Sequence, residues 1–296
     1  MQITFLGTSS MVPTKERNHS AVLISYKNEG ILVDCGEGTQ RQLKIAGIKL
    51  TKITKILISH WHGDHVLGLP GLIQSMAASG YEGILRIYGP KKTKDHFKDM
   101  FKAFIFDKKI ELDIKEVNKT IFFENEHFSL QALPLEHGIE TLGFCVIEKD
   151  HRKIEMDKLK KFGLKQGPLI GKLQEGKTIN YNNKKINPDQ VSSIVKGKKV
   201  TIINDTVPCK NADILAKDSD LLLCESTYTS KLEDKSLEYG HMTSKQAAEM
   251  ANRTNTKKLI LTHFSARYKN TLELEEEART YFDNVNCAED FMRINL

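Results

Sequence analysis

The chain has 296 residues, of which 40% are hydrophobic, enough for a well-buried core in one large domain or two ordinary ones. No apolar run approaches the roughly 20 residues needed to cross a bilayer, and no basic segment precedes an apolar one at the N-terminus, so we expect a cytoplasmic protein without a membrane partner. The formal charge is +6, and the five scattered cysteines form no CxxC pair, which argues against a disulfide framework and a thiolate metal site.

The N-terminal half alternates apolar, β-branched runs with glycine-bearing turns, a pattern that predicts short strands. These runs are QITFLG, SAVLISY, GILVDCG and LTKITKILIS. Residues 66–80 have apolar side chains near helical spacing, and the strand-like ILRIYG then precedes the helical segment KKTKDHFKDMFKAF. Strands and helices therefore alternate, as in a layered α/β protein.

The fourth strand-like run leads directly into a dense group of metal-binding side chains. The segment SHWHGDH contains His60, His62, Asp64 and His65. We expect this group on the loop at the C-terminal end of the strand. Four such side chains in one short loop are costly to satisfy without a cation, so the pattern predicts a metal site.

Three further candidate ligands, His137, Asp205 and His263, each stand at the end of an apolar strand-like run. Side chains at the C-terminal ends of neighbouring strands converge on one edge of a sheet. Seven His and Asp side chains suit two ions bridged by a carboxylate, and this ligand type favours zinc while leaving manganese and iron open. Two such ions suit displacement at phosphorus, so we expect a hydrolase of a charged ester.

The regular pattern lapses between about residues 150 and 197, which are rich in Gly, Lys and Asn. From Lys149 to Lys199 there are 14 Lys and Arg against 5 Asp and Glu, a net charge of +9 that exceeds the charge of the whole chain. We interpret this segment as an insertion into a single domain spanning residues 1–296, and not as a second core domain. A solvated, Lys-rich loop kept for solubility is the alternative.

Regularity returns after the insertion with the strand-like KKVTIINDT and DLLLCEST, the helical MTSKQAAEMANRT and the strand-like KKLILTHFS. At this point HWHGDH resembles the HxHxDH signature of the metallo-β-lactamase superfamily, and LVDCGEGTQRQL resembles the Asp-containing motif that precedes it. The segments FLGTSSMVPTKERN, LEHGIETLGF, INDT, EYGHMTSKQAA and LTHFSARY are similar to those of the ribonuclease Z family of tRNA 3′-processing endonucleases.

The resemblance implies a four-layer αββα sandwich of two sheets, the metallo-β-lactamase fold, with a basic exosite arm inserted at about 150–197. It implies a zinc-dependent endoribonuclease, commonly a homodimer, that removes the 3′ trailer of precursor tRNA. The products would be a tRNA with a 3′ hydroxyl and a trailer with a 5′ phosphate. Alternatives are a superfamily hydrolase of a small phosphodiester or lactone, and a non-catalytic RNA-binding homologue.

The resemblance also assigns roles to individual residues. One zinc ion would be held by His60, His62 and His137, the other by Asp64, His65 and His263, with Asp205 between them. Asp64 would also act as the general base. Asp34 looks like a carboxylate that orients a ligand histidine, with a cap at the strand end as the alternative.

His241, oriented by Glu225, resembles the family's pair that protonates the leaving oxygen. The alternative for His241 is an ordinary loop residue before a helix whose N-cap is Thr243. Candidate phosphate contacts are Lys15, Arg17 and Arg267, each of which is otherwise a surface cation. Gly167 and Pro168 look like the Gly-Pro element of the arm.

Overall fold

The computed structural model describes residues 1–105, 110–118, 120–164 and 167–296. These residues divide into two compact units. The larger unit comprises Met1–Phe123, Leu130–Val146 and Lys199–Leu296, and the smaller comprises Glu124–Ser129 and Ile147–Lys198. Across the described ranges, no helix has the length and apolar character that a membrane span requires.

The first of two large sheets has seven strands, and its central strands coincide with the apolar runs of the N-terminal half. They are β1 (Gln2–Gly7), β2 (Ala21–Tyr26), β3 (Glu29–Val33), β4 (Ile53–Leu57), β5 (Ile84–Gly89), β6 (Glu111–Glu116) and β18 (Arg293–Asn295), in the spatial order β18-β1-β2-β3-β4-β5-β6. From β3 to β6 the strands are parallel. The C-terminal ends of these strands therefore share one edge.

The second large sheet also has seven strands. They are β7 (Ile121–Glu124), β8 (Phe128–Glu136), β9 (Glu140–Glu148), β14 (Lys199–Ile203), β15 (Leu221–Glu225), β16 (Leu259–Thr262) and β17 (Val285–Cys287), in the order β17-β16-β15-β14-β9-β8-β7. The strands from β14 to β17 are parallel, and β14, β15 and β16 are almost entirely buried. Burial on both faces explains their continuous apolar sequences, since parallel strands are covered on each side.

The larger unit also contains helices, several of which pack against the two sheets. They are α1 (Thr39–Ile45), α2 (Gly63–Val66), α3 (Leu69–Ala78), α4 (Thr93–Lys102), α7 (Lys210–Ala216), α8 (Glu233–Glu238), α9 (Ser244–Arg253) and α10 (Leu272–Arg279). Leu43, Leu72 and Phe97 from α1, α3 and α4 pack in one apolar cluster with residues of the first sheet. The helices α7, α9 and α10 contact strands of the second. The expected four-layer αββα sandwich is confirmed.

The smaller unit has secondary structure and an apolar cluster of its own, which the sequence pattern did not predict. Its elements are β10 (His151–Ile154), α5 (Met156–Lys160), α6 (Pro168–Gln174), β11 (Ile179–Tyr181), β12 (Lys184–Ile186) and β13 (Ser192–Val195). The buried cluster consists of Leu159, Leu164, Leu173, Ile179, Ile186 and Val191. The unit therefore packs around local apolar contacts. Lys165 and Gln166, within the segment predicted to be an arm, lie outside the described residues.

Candidate metal centre

Four strand ends carry the side chains that the sequence singled out as metal ligands. Ser59 and His60 follow β4, and the single turn of α2 then presents Asp64 and His65. His137 follows β8, Asp205 follows β14 at a distance of two residues, and His263 follows β16 directly. The ends of these strands thus bring together residues that are up to 203 positions apart in the sequence.

The first group of potential ligands contains His60, His62, His137 and Asp205, whose ligand atoms all lie within 4.8 Å of one another. The Nδ1 atom of His62 is 3.1 Å from His60 Nε2 and 3.2 Å from His137 Nε2. The Oδ2 atom of Asp205 is 3.5 Å from the Nε2 atoms of both His60 and His137. Ligand atoms around a tetrahedral ion with bonds of roughly 2.0–2.1 Å lie about 3.3–3.4 Å apart, so this geometry fits a metal.

The second group contains Asp64, His65, Asp205 and His263, all of them buried. The Nε2 atoms of His65 and His263 are 3.3 Å apart, and each is 3.4 Å from Asp64 Oδ2. Asp205 Oδ1 is 3.2 Å from His263, and Asp205 Oδ2 is 3.4 Å from His65. Asp205 therefore belongs to both groups, which is the arrangement expected of a bridging carboxylate.

A buried carboxylate, Asp34, orients the ligands that come from the first sheet. It accepts hydrogen bonds from His65 Nδ1 at 2.7 Å, from the Ser59 backbone amide and hydroxyl at 2.7 Å each, and from the Asn204 side-chain amide. The Ser59 hydroxyl in turn accepts a hydrogen bond from His60 Nδ1 at 2.9 Å. Both histidines therefore donate outward from Nδ1, which leaves the lone pair of Nε2 directed into the groups.

Two ligands from the second sheet are oriented in the same way. The Nδ1 atom of His137 donates to the Gly240 carbonyl at 2.7 Å. The Nδ1 atom of His263 lies 3.1 Å from the hydroxyl of Thr227, which donates to Glu225 at 2.8 Å. With each outward nitrogen acting as a donor, the inward nitrogens of His60, His65, His137 and His263 carry lone pairs that face one another, an arrangement that a cation stabilises.

Two carboxylate oxygens provide a separate test of the fit to a metal. Asp64 Oδ1 and Asp205 Oδ1 are buried and, among the described residues, have no hydrogen-bond partner. Buried polar atoms are normally satisfied, and an unpaired carboxylate oxygen is especially costly. A divalent cation held by these two carboxylates would compensate their buried charge, so the donor set and its geometry fit a metal site.

The electrostatics of the two groups agree with that assignment. Burial and the neighbouring imidazoles lower the pKa of His60 and His62, so both are neutral and able to act as ligands. Burial also disfavours a charge on His65, but the carboxylates of Asp205 and Asp34 raise the pKa of this imidazole well above its ordinary value. The second group therefore favours a positive charge between its carboxylates.

His241 and Glu225 form an ion pair at the edge of the second group. His241 Nδ1 is 3.0 Å from Glu225 Oε1, and the Glu225 side chain is fully buried. Burial alone would lower the pKa of His241, but the Glu225 carboxylate raises it to about 9. The ring centroid of His241 lies 5.1 Å from that of His137 and 5.4 Å from that of His263. A protonated imidazole therefore stands beside the potential metal ligands.

The helix that follows His241 begins as predicted. The Thr243 hydroxyl accepts a hydrogen bond from the Gln246 backbone amide, and the Gln246 side chain bonds back to the Thr243 amide, which completes a capping box at the start of α9. The capping role of Thr243 and the ion pair of His241 are therefore both present in this segment, and neither excludes the other.

Two residues of this centre have a strained backbone conformation. Asp34 has φ 57° and His263 has φ 62°, both in the left-handed region that non-glycine residues rarely adopt. Each residue stands directly after a buried strand, and each side chain is held by hydrogen bonds within the centre. Strained conformations of this kind persist where the surrounding structure over-determines them, which functional sites often do.

The three cations expected to contact phosphate have different environments. Lys15 and Arg267 are exposed, and the Arg267 guanidinium lies 5.2 Å from the ring centroid of Tyr228. Arg17 is only 7% exposed, and its guanidinium donates to the Tyr268 carbonyl at 2.5 Å. Arg17 therefore supports the neighbouring turn from inside, which leaves Lys15 and Arg267 as candidates for phosphate contacts.

Gly167 and Pro168 belong to the smaller unit. Both are exposed, and Pro168 is the first residue of α6, a position that suits proline because its missing amide hydrogen needs no partner there. A pocket of about 550 Å³ lies beside them, lined in part by Arg152, Lys153 and Gly167.

Several supporting residues were missed by the sequence analysis. Ser59 and Asn204 immediately precede predicted ligands, Thr227 lies two residues after Glu225, and the backbone carbonyl of Gly240 precedes His241. The sequence feature that could have indicated a role for these residues is that they lie next to predicted site residues. Each, however, also has a hydrogen-bond partner in a distant part of the chain, which cannot be read from local sequence.

Several known proteins are similar to this chain. A ribonuclease Z from Methanothermobacter thermautotrophicus is 41% identical over 297 residues, covering 100% of this chain and 97% of the relative. The crystal structure of the short form of human tRNase Z aligns with TM-score 0.74 and 29% identity, covering 100% of this chain and 99% of that one. The metallo-β-lactamase fold protein YhfI from Bacillus subtilis aligns with TM-score 0.72 and 17% identity, covering 99% and 98%, which shows the fold alone. Residues 1–151 also match the family model described as anti-Pycsar protein Apyc1.

Proposed function

The chain belongs to the ribonuclease Z family of hydrolytic endoribonucleases in the metallo-β-lactamase superfamily, and we propose that it removes the 3′ trailer of precursor tRNA with two zinc ions. The products would be a tRNA that ends in a 3′ hydroxyl and a trailer that begins with a 5′ phosphate. We further propose that it acts in the cytoplasm as a homodimer.

The observation that carries this proposal is the pair of ligand groups that share Asp205. In this assignment His60, His62 and His137 hold one ion, and Asp64, His65 and His263 hold the other. Two zinc ions bound in this way would lower the pKa of water and compensate the negative charge on a phosphodiester. Imidazole and carboxylate ligands without thiolate favour zinc, with manganese or iron as alternatives.

Asp64 is the proposed general base. Burial disfavours its charge, but the neighbouring imidazoles of His263 and His65 lower the pKa of its carboxyl below the ordinary value, so the group is ionised at neutral pH. Its Oδ1 atom lacks a hydrogen-bond partner among the described residues and can accept the proton of an attacking water.

His241 is the proposed general acid. The tRNA 3′ oxygen leaves as an alkoxide and needs a proton, which the imidazolium of His241 can donate. Glu225 holds Nδ1 of that ring at 3.0 Å and so leaves Nε2 as the donor. The fully buried position of Glu225 strengthens this ion pair, because the surrounding dielectric is low.

The smaller unit is proposed to be the tRNA-binding arm, with Gly167 and Pro168 in its RNA-contacting element. Its lysines can neutralise phosphates and release counterions without reading base sequence, which suits recognition of a folded RNA by shape. Lys15 and Arg267 are proposed to contact phosphates near the cut, Arg267 with a guanidinium already placed against Tyr228.

The test compares a 3′-extended precursor tRNA with bis(p-nitrophenyl) phosphate, using protein stripped by a chelator and then reloaded with zinc. We expect both substrates to be cleaved only after reloading, with close to two zinc ions bound per chain. Cleavage of the small ester alone would favour a hydrolase of small phosphodiesters. That is the second candidate, because all seven potential ligands lie in the larger unit and need no arm. No cleavage and no bound metal would favour an RNA-binding homologue.

A further inference from the structure

A cavity of about 800 Å³, distinct from the cavity that contains the metal centre, is lined by His137. Three apolar side chains that line it are unusually exposed for their size: Ile139 is 42% exposed, Leu237 is 66% exposed and Tyr239 is 54% exposed. Single exposed apolar residues need no explanation, but three around one concave surface indicate a binding site.

This cavity borders the metal centre. His137 and Tyr239 line both the 800 Å³ cavity and the cavity of about 430 Å³ that contains Asp64 and His241. The wall between them is fixed, since His137 Nδ1 donates to the Gly240 carbonyl. The ammonium of Lys235 lies 5.7 Å from the Tyr239 ring centroid and helps to hold that ring in place.

The charges around the 800 Å³ cavity limit what can occupy it. Glu136, Glu140 and Glu238 line it, and all three side chains are exposed. Carboxylates repel a phosphate backbone, but they accept hydrogen bonds from the amino groups of nucleobases. An occupant with an apolar flat face and N–H donors along its edge therefore fits, whereas a phosphate does not. Unpaired nucleobases have both properties, and they stack readily on aromatic side chains.

We propose that this cavity binds the nucleobase on the 5′ side of the scissile phosphate, an inference that rests on the proposed function. The 3′ oxygen of that nucleotide is the leaving group, and His241 is the residue proposed to protonate it. Tyr239 lines both this cavity and the one that contains His241, so a nucleoside whose 3′ oxygen lies at His241 can place its base in this cavity. Its base stacks on Tyr239 and packs against Ile139 and Leu237.

The test combines an abasic nucleotide in the substrate with a variant of the cavity. In the unaltered protein, removing the base on the 5′ side of the cut should lower kcat/KM for precursor tRNA roughly tenfold, the size typical of one lost stacking interaction. In the variant Leu237→Ala/Tyr239→Ala, the same abasic substitution should cause no further loss. An abasic nucleotide on the 3′ side of the cut should have the same effect on both proteins.

Two control variants test whether the double variant acts through a general structural effect. Tyr239→Phe keeps the ring and should respond to the abasic substrate as the unaltered protein does. Tyr281→Ala removes another partly exposed tyrosine, 38% exposed and outside the cavity, and should also respond normally. If the 5′ abasic nucleotide still lowers kcat/KM tenfold in the double variant, the proposed subsite is wrong while the proposed function stands. The same conclusion follows if the double variant changes only the effect of the 3′ abasic nucleotide. If the unaltered protein leaves intact precursor tRNA uncut, both proposals fail.

Discussion

At the scale of single residues, the centre depends on hydrogen bonds that hold each histidine in one tautomer. Asp34 is fully buried and accepts from His65, Ser59 and Asn204, which come from both halves of the larger unit. Removal of such an outer partner typically weakens metal binding about 10- to 100-fold, because the ligand loses both its orientation and part of its basicity.

We therefore expect Asp34→Asn to weaken zinc binding about 10- to 100-fold. The amide cannot accept from His65, Ser59 and Asn204 as the carboxylate does. Competition with a chelator of known affinity measures the change, and Asp99→Asn is the matched control, since Asp99 is exposed and pairs only with Lys102 among the described residues. Equal zinc affinity in both variants would mean that Asp34 merely caps the strand end.

The raised pKa of His241 predicts how kcat changes at alkaline pH. Because its pKa of about 9 lies above the ordinary 6.5, His241 keeps its proton through neutral pH and loses it as the pH rises through about 9. We expect kcat to fall above that pH. Glu225→Gln removes the carboxylate that raises this pKa, so the alkaline limb should move to lower pH. An unshifted limb in Glu225→Gln would contradict the role of His241 as the acid.

The grouping of the candidate ligands was easier to predict from the sequence than the hydrogen bonds that support them. Clustered His and Asp residues leave a local signal, and strand-end positions place His137, Asp205 and His263 at a common edge. Asp34 bonds to Asn204, 170 positions away, and no local pattern indicates that contact. Arg17 was predicted to contact phosphate, with a surface cation as the alternative, but it is only 7% exposed and its guanidinium donates to the Tyr268 carbonyl, 251 positions away.

At the scale of elements, one carboxylate on α10 holds both ends of the segment that carries His241. Glu277 accepts hydrogen bonds from the backbone amide and hydroxyl of Ser230, from the Ser244 hydroxyl and from the Lys245 amide. Ser230 and Ser244 lie on either side of Tyr239 and His241 in the sequence. Glu277 therefore positions the proposed acid without contacting the metal ligands.

We expect Glu277→Ala to lower kcat roughly 10- to 100-fold, the effect of a displacement on the order of 1 Å at a catalytic group. Metal content should not change, because all seven potential ligands remain. The neighbouring exposed Glu276→Ala is the control and should behave as the unaltered protein. A parallel loss of metal in Glu277→Ala would instead indicate a general loss of structure.

Most long elements were predictable from the sequence, whereas short and partly exposed ones were not. Strands such as β15, with every residue buried, leave a continuous apolar run. By contrast, β6 has the sequence ELDIKE and no fully buried residue, so its pairing with β5 decides its structure. In the smaller unit, apolar residues are spread over short elements at irregular spacing, which concealed their common cluster.

At the scale of the whole molecule, the excess positive charge is concentrated in one segment. If that segment binds the RNA backbone, replacing Lys160, Lys161, Lys184 and Lys185 with Gln should reduce the salt dependence of precursor tRNA cleavage. The slope of log kcat/KM against log salt should change by about one for each lysine that contacts a phosphate. Hydrolysis of a small phosphodiester should not change.

The matched control replaces four exposed lysines of the larger unit, Lys44, Lys49, Lys91 and Lys94, with Gln, which removes the same total charge. This control should retain the original salt slope. An equal change in both sets would show that overall charge attracts the RNA, and that the basic segment has no special role.

The central claim is that the Asp64 and His65 group belongs to a nuclease that cuts at the 3′ end of the tRNA sequence. The most direct measurement is to map the cut in a 3′-extended precursor tRNA and determine both new end groups, beside Asp64→Ala. We predict one cut at the tRNA boundary with a 3′ hydroxyl and a 5′ phosphate, absent in Asp64→Ala. Scattered cuts, reversed end groups or an active Asp64→Ala protein would contradict the account.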